Sequence, residues 1–542
     1  MKTLSYHLLT AACLLAGFTL TGCLEESPRD QIDQEKAYDT AENLYINAVA
    51  TLYNHIGGAA DSEGLQGTYR GVYDYNTFST DEAIIPIRGG DWYDGGFWEN
   101  LFLHRWTPAD GALYDTWKYL YKVIVFCNQS IATIQAHKSL LTDAQLTAYT
   151  AEVRALRAMF YWYLMDMYGN IPLITDDKTP FSEVRQSPRA NTFKFIVDEL
   201  QAVEPILPAE HSNLEGNSYG RITRPVVHFL LAKLALNAEV YTDNDWTDAV
   251  RPNGRSILLT VEGRKLNAWQ ACIHYCDKLS TDGYRLADSY AENFAVHNEN
   301  SVENIFTIPM DKTLYANQFQ YLFRSRHYNH GGALGMAAEN GSCATPSTVR
   351  ANAYGTPQED KRYRQNYWSD TLKLNGRAVT LDNGQPLIYV PLAVEVNLTY
   401  SPYVKTAGAR MAKYETDTKA HADGKLQDND IVLFRYADVL LMKAEAKLRN
   451  GLDGNGELNQ VRRRAGMPAV KATLESILHE RLIELAWEGW RRNDLVRYGL
   501  YSRSYDLRPQ QDGEADGHTT VFPIPADALS LNPNLHQNPQ YK

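Results

Sequence analysis

The chain has 542 residues, with 53 Lys and Arg against 65 Asp and Glu for a formal net charge of −12, and is 44% hydrophobic and 11% aromatic. A balance this acidic, with no basic stripe, argues against nucleic acid as a partner. Six cysteines are too few for a disulfide framework in so long a chain, and no run approaches the roughly 20 apolar residues of a membrane helix.

At the start, Lys2 precedes a mostly apolar run from Leu8 to Leu20, too short to span a bilayer, and then Thr21-Gly22-Cys23. That order reads as a secretory signal over 1–22. Leu20-Thr21-Gly22-Cys23 resembles a bacterial lipobox, in which the cysteine thiol takes diacylglycerol and becomes the first mature residue. The plainer alternative is an ordinary signal peptide cut near Gly22, with Cys23 incidental. The acidic Leu24-Glu25-Glu26-Ser27 resembles the surface-export signal of Bacteroidetes lipoproteins. Acyl chains on Cys23 would hold the protein firmly, at about 0.8 kcal/mol per buried methylene. Losing 1–22 removes Lys2 and no acid, leaving 52 bases against 65 acids, a net charge of −13.

The remainder, 23–542, reads as a single body, because no Gly/Ser- or Pro-rich linker divides it. A helical scaffold is expected mainly over 36–56, 113–282 and 430–502. Long irregular loops are expected mainly over 57–112 and 283–429, and loops of that length usually carry function.

The first loop contains "YRGVYDYNTFSTDEAIIPIRGGDWYDGGFWENLF" (69–102). A saccharide offers hydroxyls at its rim and an apolar C–H face. Its receptor therefore needs flat rings to stack and planar acids or guanidiniums to fork onto hydroxyl pairs. Asp81, Arg88 and Asp91 stand beside Trp92, Tyr93 and Trp98, and Gly89-Gly90 and Gly95-Gly96 allow sharp turns. Trp92 and Tyr93 are expected to be exposed. Trp98, with Phe102 and Trp106, fits equally a plug onto the helices, and core packing is the favoured reading for those three.

Periodicity of 3.6 residues then predicts helices over 115–136, 143–169, 191–204, 225–241, 267–280, 431–450 and 473–489. Alanines at 151, 155 and 158, at 232, 235 and 238, and at 437, 444 and 446 suit close antiparallel helix pairs of the tetratricopeptide type, without a strict repeat. Cys127, Cys272, Cys276 and Cys343 lack metal-ligand spacing and read as small buried hydrophobes. Between the helices, "NIFTIPM" and "PLIYV" are short strand-like runs.

The second loop offers "LYANQFQYLFRSRHYNHGG" (314–332), with Tyr315, Tyr321, Arg324, Arg326 and Tyr328, whose alternation also fits a half-buried strand. Trp368, closing "KRYRQNYW", is a weaker candidate. "GLDGNGELN" (451–459) hints at a calcium loop. Leu458 and Arg464 stand where an EF-hand from Asp453 needs Gly and Glu, so no metal or cofactor is expected and a structural calcium has no support.

"HERLIELAWEGWRRNDLVRYG" (479–499) opens like a zinc-protease signature, but Ile483 replaces the second histidine. Its stripe Glu480, Glu484, Glu488 lies on a helix covered on most sides. Those acids should therefore be buried in ion pairs, with Arg481, Arg491 and Arg492 as the nearby partners.

"RYADVLLMKAEAKLRNG" (435–451), "LNQVRRRAGMP" (458–468), the 479–499 block and "FPIPADALSLNPNLHQNPQY" (522–541) resemble the C-terminal blocks of the SusD/RagB family. "WKYLYKVIVFCN", "AEVRALRAMFYWYLMDMYGNIPL" and "GRITRPVVHFLLAKLAL" resemble its helical blocks, in order. The resemblance implies a mainly α, SusD-like superhelix with long loops and few strands. It also implies a lipid-anchored protein of the cell outer membrane, facing the exterior, that binds oligosaccharide or polysaccharide. Such proteins typically form a lid on a SusC-like TonB-dependent transporter, and their ligand-binding aromatics often come from the N-terminal loop region, which favours Trp92 and Trp98. Two rivals stay open. One is the same role with peptide cargo. The other is a glycoside hydrolase using Asp81 with Asp91 or Asp94.

Overall fold

The computed structural model describes residues 37–541 other than 59, 67, 249, 314–318, 320 and 421–426. The expectations for the signal segment, for Cys23 and for Tyr315 lie outside the described residues, as does the side chain of Tyr321.

Capping chemistry sets where the main helices begin. Thr142 and Gln145 form a reciprocal capping box ahead of Asp143–Tyr168, as do Asn267 and Gln270 ahead of Ala268–Thr281. With Gly111–Ala136, Arg189–Val203 and Arg224–Leu236, these helices pack in sequential pairs. Gly111–Ala136 lies on Asp143–Tyr168, which lies on Arg189–Val203. Arg224–Leu236 lies on Ala268–Thr281, and that helix on Tyr436–Arg449. Ala151, Ala155, Ala158, Ala232, Ala235, Ala444 and Ala446 are all buried at these contacts, where a short side chain lets two backbones approach. One cluster of buried apolar side chains extends from Leu44 to Leu535. Cys127, Cys272, Cys276 and Cys343 are free and buried.

Two predicted helices need correction. Residues 431–450 begin as a buried strand, Ile431–Arg435, paired antiparallel with Asn304–Ile308, and only then continue as Tyr436–Arg449. The 473–489 segment is helical over Leu474–Glu484. It then turns through Trp487 (φ 66°) and Gly489 (φ 76°) into a second helix, Arg491–Arg497.

That strand and turn explain the glutamate stripe. Arg435, at the end of the strand, donates to Glu303, Glu484 and Glu488 at 2.6–2.8 Å. Arg362 and Arg464 also reach Glu484, Arg362 and Arg462 pair with Glu480, and Lys413 pairs with Glu488. All three glutamates are buried and ion-paired, but with partners other than those expected. Arg481 serves Asp438 and Asp494, Arg491 serves Asp81, and Arg492 serves Asp166. Burial would raise Glu484, yet the surrounding guanidiniums hold it well below the usual carboxylate range.

Short pairings stitch the loops into one surface. Ala83–Ile84 pairs with Cys343–Ala344, and Ile87 bridges to Asn397. Arg88 donates to the carbonyls of Gly341, Val404 and Ala407. The N-terminal loop is thereby fixed against segments 250 to 320 residues later in the chain.

Candidate functional site

The site grows from a buried ion pair. The backbone N–H of Arg70 donates to Asp74, at the start of helix Val72–Phe78. Asp74 also accepts both ends of the Arg324 guanidinium, at 2.6 and 3.0 Å. Both side chains are buried, and the Arg324 guanidinium lies 5.4 Å from the Tyr69 ring centre and 5.5 Å from that of Trp98. This pair forms a rigid base under Tyr69.

Trp92 follows with φ 64°, a left-handed conformation costly for a bulky residue and frequent at functional sites. Gly95 and Gly96, at φ 67° and 88°, then turn the chain into helix Phe97–Phe102. The Trp92 indole N–H donates to the Glu339 carbonyl at 2.9 Å. Its ring rests on Gly341, where a Cβ would lie 2.6 Å from Cζ2. Trp98 meets Trp92 edge-on at 5.8 Å, and Tyr69, whose hydroxyl donates to the Glu339 carboxylate, stands 6.3 Å away.

Acids and Arg70 complete the wall, with Lys405 beside it. Asp94 accepts from Arg70 at 2.9 Å and from the Trp98 indole at 2.8 Å. Asp91 accepts from Lys405 at 2.5 Å and from the Tyr328 hydroxyl at 3.1 Å. The result is an open cleft of about 460 Å³ lined by Asp61, Tyr69, Arg70, Asp91, Trp92, Asp94, Tyr328, Ala338 and Glu339. Tyr328, 45% exposed, also borders a second cleft of about 870 Å³. Asn329, Asp382 and the hairpin residues Leu374, Asn375 and Arg377 line that one.

The Lys405 hydrogen bond and charge hold Asp91 below the usual carboxylate range. Burial and the Asp91 carboxylate push the Tyr328 phenol up to about 12, which keeps it a neutral donor. Burial raises Asp61, with Arg70 opposing. The cleft therefore presents ring faces beside acceptors, a combination that suits a ligand with an apolar face and many hydroxyls. Among the described residues no group of three or more His, Cys, Asp or Glu side chains is placed to hold a metal ion.

The candidates read from sequence divide sharply. Asp91, Trp92 and Tyr328 meet in the cleft. Arg88, Trp98 and Arg324 are buried and have no surface to offer a ligand. Arg88 clips loops through carbonyls, Trp98 packs under Trp92, Phe102 and Trp106 are buried elsewhere, against Tyr505 and Phe522, and Arg324 braces Asp74. Asp81 is turned away to a bidentate pair with Arg491. Tyr93 is 58% exposed but outside the cleft lining, and Trp92 is half-buried rather than exposed. Trp368 is half-buried, edge-on to His330. Tyr321 opens a short helix, Tyr321–Arg324, where a strand was the alternative.

Asp61, Tyr69, Arg70 and Glu339 complete the cleft and were not singled out by sequence; Asp94 entered only as a hydrolase partner. Tyr69 and Arg70 begin the aromatic stretch of the first loop, which was a usable signal. Glu339 had none, being brought in from the second loop. The hydrolase pairing is not assembled, since Asp81 lies outside both clefts and the Asp91 pKa moves down rather than up.

Residues 303–541 match the profile of the SusD family. Over the full length of both chains the protein is 25% identical to the starch-binding protein SusD of Bacteroides thetaiotaomicron. A laminarin binding SusD-like protein superposes with a TM-score of 0.69 at 21% identity, covering 93% of this chain and 100% of that one. The surface glycan-binding protein A of Bacteroides thetaiotaomicron, in complex with laminarihexaose, superposes with a TM-score of 0.68 at 20% identity, covering 92% and 99%. The mainly helical fold with long loops is the fold of these proteins.

Proposed function

We propose that this chain is a SusD-like surface glycan-binding lipoprotein that captures oligosaccharide and passes it to a SusC-like TonB-dependent transporter. Acyl chains on Cys23 would hold it in the outer membrane, facing outward. The observation that carries the reading is the cleft in which Trp92, Tyr69 and Tyr328 stand beside Asp61, Asp91, Asp94 and Glu339. Rings of this kind stack on the C–H face of a sugar, while the carboxylates accept from its hydroxyl pairs. The role is binding without hydrolysis. Modest affinity suits it, because a carrier must release its cargo.

Isothermal titration of the intact soluble body against oligosaccharide and peptide panels tests the reading. Heat from an oligosaccharide, with affinity about tenfold weaker in Tyr328→Ala, is the expected result. Binding confined to peptides would overturn it, and release of shortened sugar from a bound glycan would replace binding with hydrolysis. Co-purification of the native lipoprotein with an outer-membrane barrel tests delivery separately.

A further inference from the structure

We propose that the Trp92–Tyr328 cleft excludes anions: it takes uncharged saccharide chains and rejects chains bearing uronate or sulfate. This rests on the reading of the cleft as a glycan site and names the class of glycan.

Charge is the first consideration. Four carboxylates line the cleft, Asp61, Asp91, Asp94 and Glu339, against the single guanidinium of Arg70. That guanidinium is already committed, 2.9 Å from Asp94 and 3.8 Å from Asp61. Lys405, beside the cleft, is committed to Asp91 at 2.5 Å. Arg324, beneath it, is buried against both oxygens of Asp74. Both cations at the cleft are ion-paired with its own acids, and the lining keeps more carboxylates than cations. Residues 314–318 and 320, just before Tyr321, carry no charge in the sequence.

A hydroxyl and a carboxylate meet such a wall differently. A sugar hydroxyl donates its proton to Asp61, Asp91 or Asp94 and gains a charge-assisted hydrogen bond. The carboxylate of a uronate, like a sulfate group, has no proton to donate, so acceptor faces acceptor and like charges are brought together at contact distance. Discrimination then comes from repulsion as much as from attraction, which is how many binding sites reject near-identical ligands. Because Asp61, Asp91 and Asp94 are partly exposed, the penalty is screened by salt, whereas a steric penalty is not.

The experiment first applies affinity electrophoresis to starch, laminarin, xylan, alginate and polygalacturonate. It then compares the neutral glycan that is retained with the same glycan carrying C6 carboxylates introduced by oxidation. At low salt the carboxylated chain should bind about tenfold more weakly, and the gap should narrow in about 0.5 M NaCl. Asp61→Asn should narrow it by about threefold. Asp198→Asn, the same change of charge on the scaffold helix Arg189–Val203, should leave the ratio unmoved. Equal or stronger binding of an acidic polysaccharide would overturn the inference and leave the glycan reading standing. So would a ratio indifferent to both salt and Asp61→Asn. Retention of no polysaccharide would remove the glycan reading and the inference together.

Discussion

The molecule holds two groups of carboxylates that are used in opposite ways. Glu480, Glu484 and Glu488 are buried, and each meets at least two cations within 2.7 Å. Asp61, Asp91, Asp94 and Glu339 line an open cleft, where Arg70 is the one cation among the lining residues. In the first group the carboxylates are matched by cations within the protein, so the acids fix the positions of the loops around them. In the second, Asp61, Asp91 and Asp94 remain within reach of solvent and can be offered to a ligand. A carboxylate's role is thus set by its surplus or deficit of nearby donors, not by its spacing along the chain.

Four measurements would break or sharpen that contrast. The largest effect is expected from Arg435→Ala, which leaves Glu303, Glu484 and Glu488 short of a buried partner. Loss of a member of a buried ion pair costs about 3–5 kcal/mol, so denaturant unfolding should show a loss of that size or no folded protein at all. A change under about 1 kcal/mol would mean the network does not brace the fold.

Acid comes next. Burial would raise Glu445, but Arg497 and Arg449 outweigh it and hold it to about 2. Burial likewise opposes the His104 and Arg508 contacts that hold Glu514 to about 2. Both bind protons more weakly folded than unfolded, so their contribution is complete above the unfolded value near 4.5 and disappears as pH falls toward 2. Several kcal/mol should go over that interval, because each tenfold weakening of proton binding is worth about 1.4 kcal/mol. Flat stability between pH 5 and 3 would contradict the pairing.

The third test moves the platform without touching it. In Gly341→Ala the new methyl meets Cζ2 of Trp92 at 2.6 Å, so the indole must shift. Overpacking of this kind costs about 1–3 kcal/mol, and glycan affinity should drop by about tenfold. Unchanged affinity would remove Trp92 from the binding surface. The mildest change to the fold is Tyr328→Ala, which takes away an exposed ring whose hydroxyl donates to the surface carboxylate of Asp91. Affinity should fall by about tenfold while the melting temperature moves by less than about 2 °C. A larger thermal shift would make Tyr328 a packing residue.

Much of this is readable from the chain itself. Helix positions follow from periodicity, and Thr142 and Asn267 signal their helix starts through contacts only three residues long. Gly95 and Gly96 announce a sharp turn for the same local reason. The 431–435 strand escapes such a reading because a short apolar run next to a helical one has no period of its own. The cleft is half legible. Trp92, Asp91 and Tyr328 stand out as aromatics and an acid in irregular loops, but Arg88, Trp98 and Arg324 stand out in the same way and are buried.

What the sequence alone determined is therefore whatever neighbouring residues decide among themselves: capped helix starts, turns and the family resemblance carried by consecutive blocks. What only the tertiary structure decided is which polar and aromatic side chains keep a surface. Arg88 disappears against carbonyls 253 to 319 residues away, and Glu488 finds Arg435 rather than Arg492. Exposure is a property of everything that packs around a side chain, and those neighbours arrive from segments that no local pattern connects.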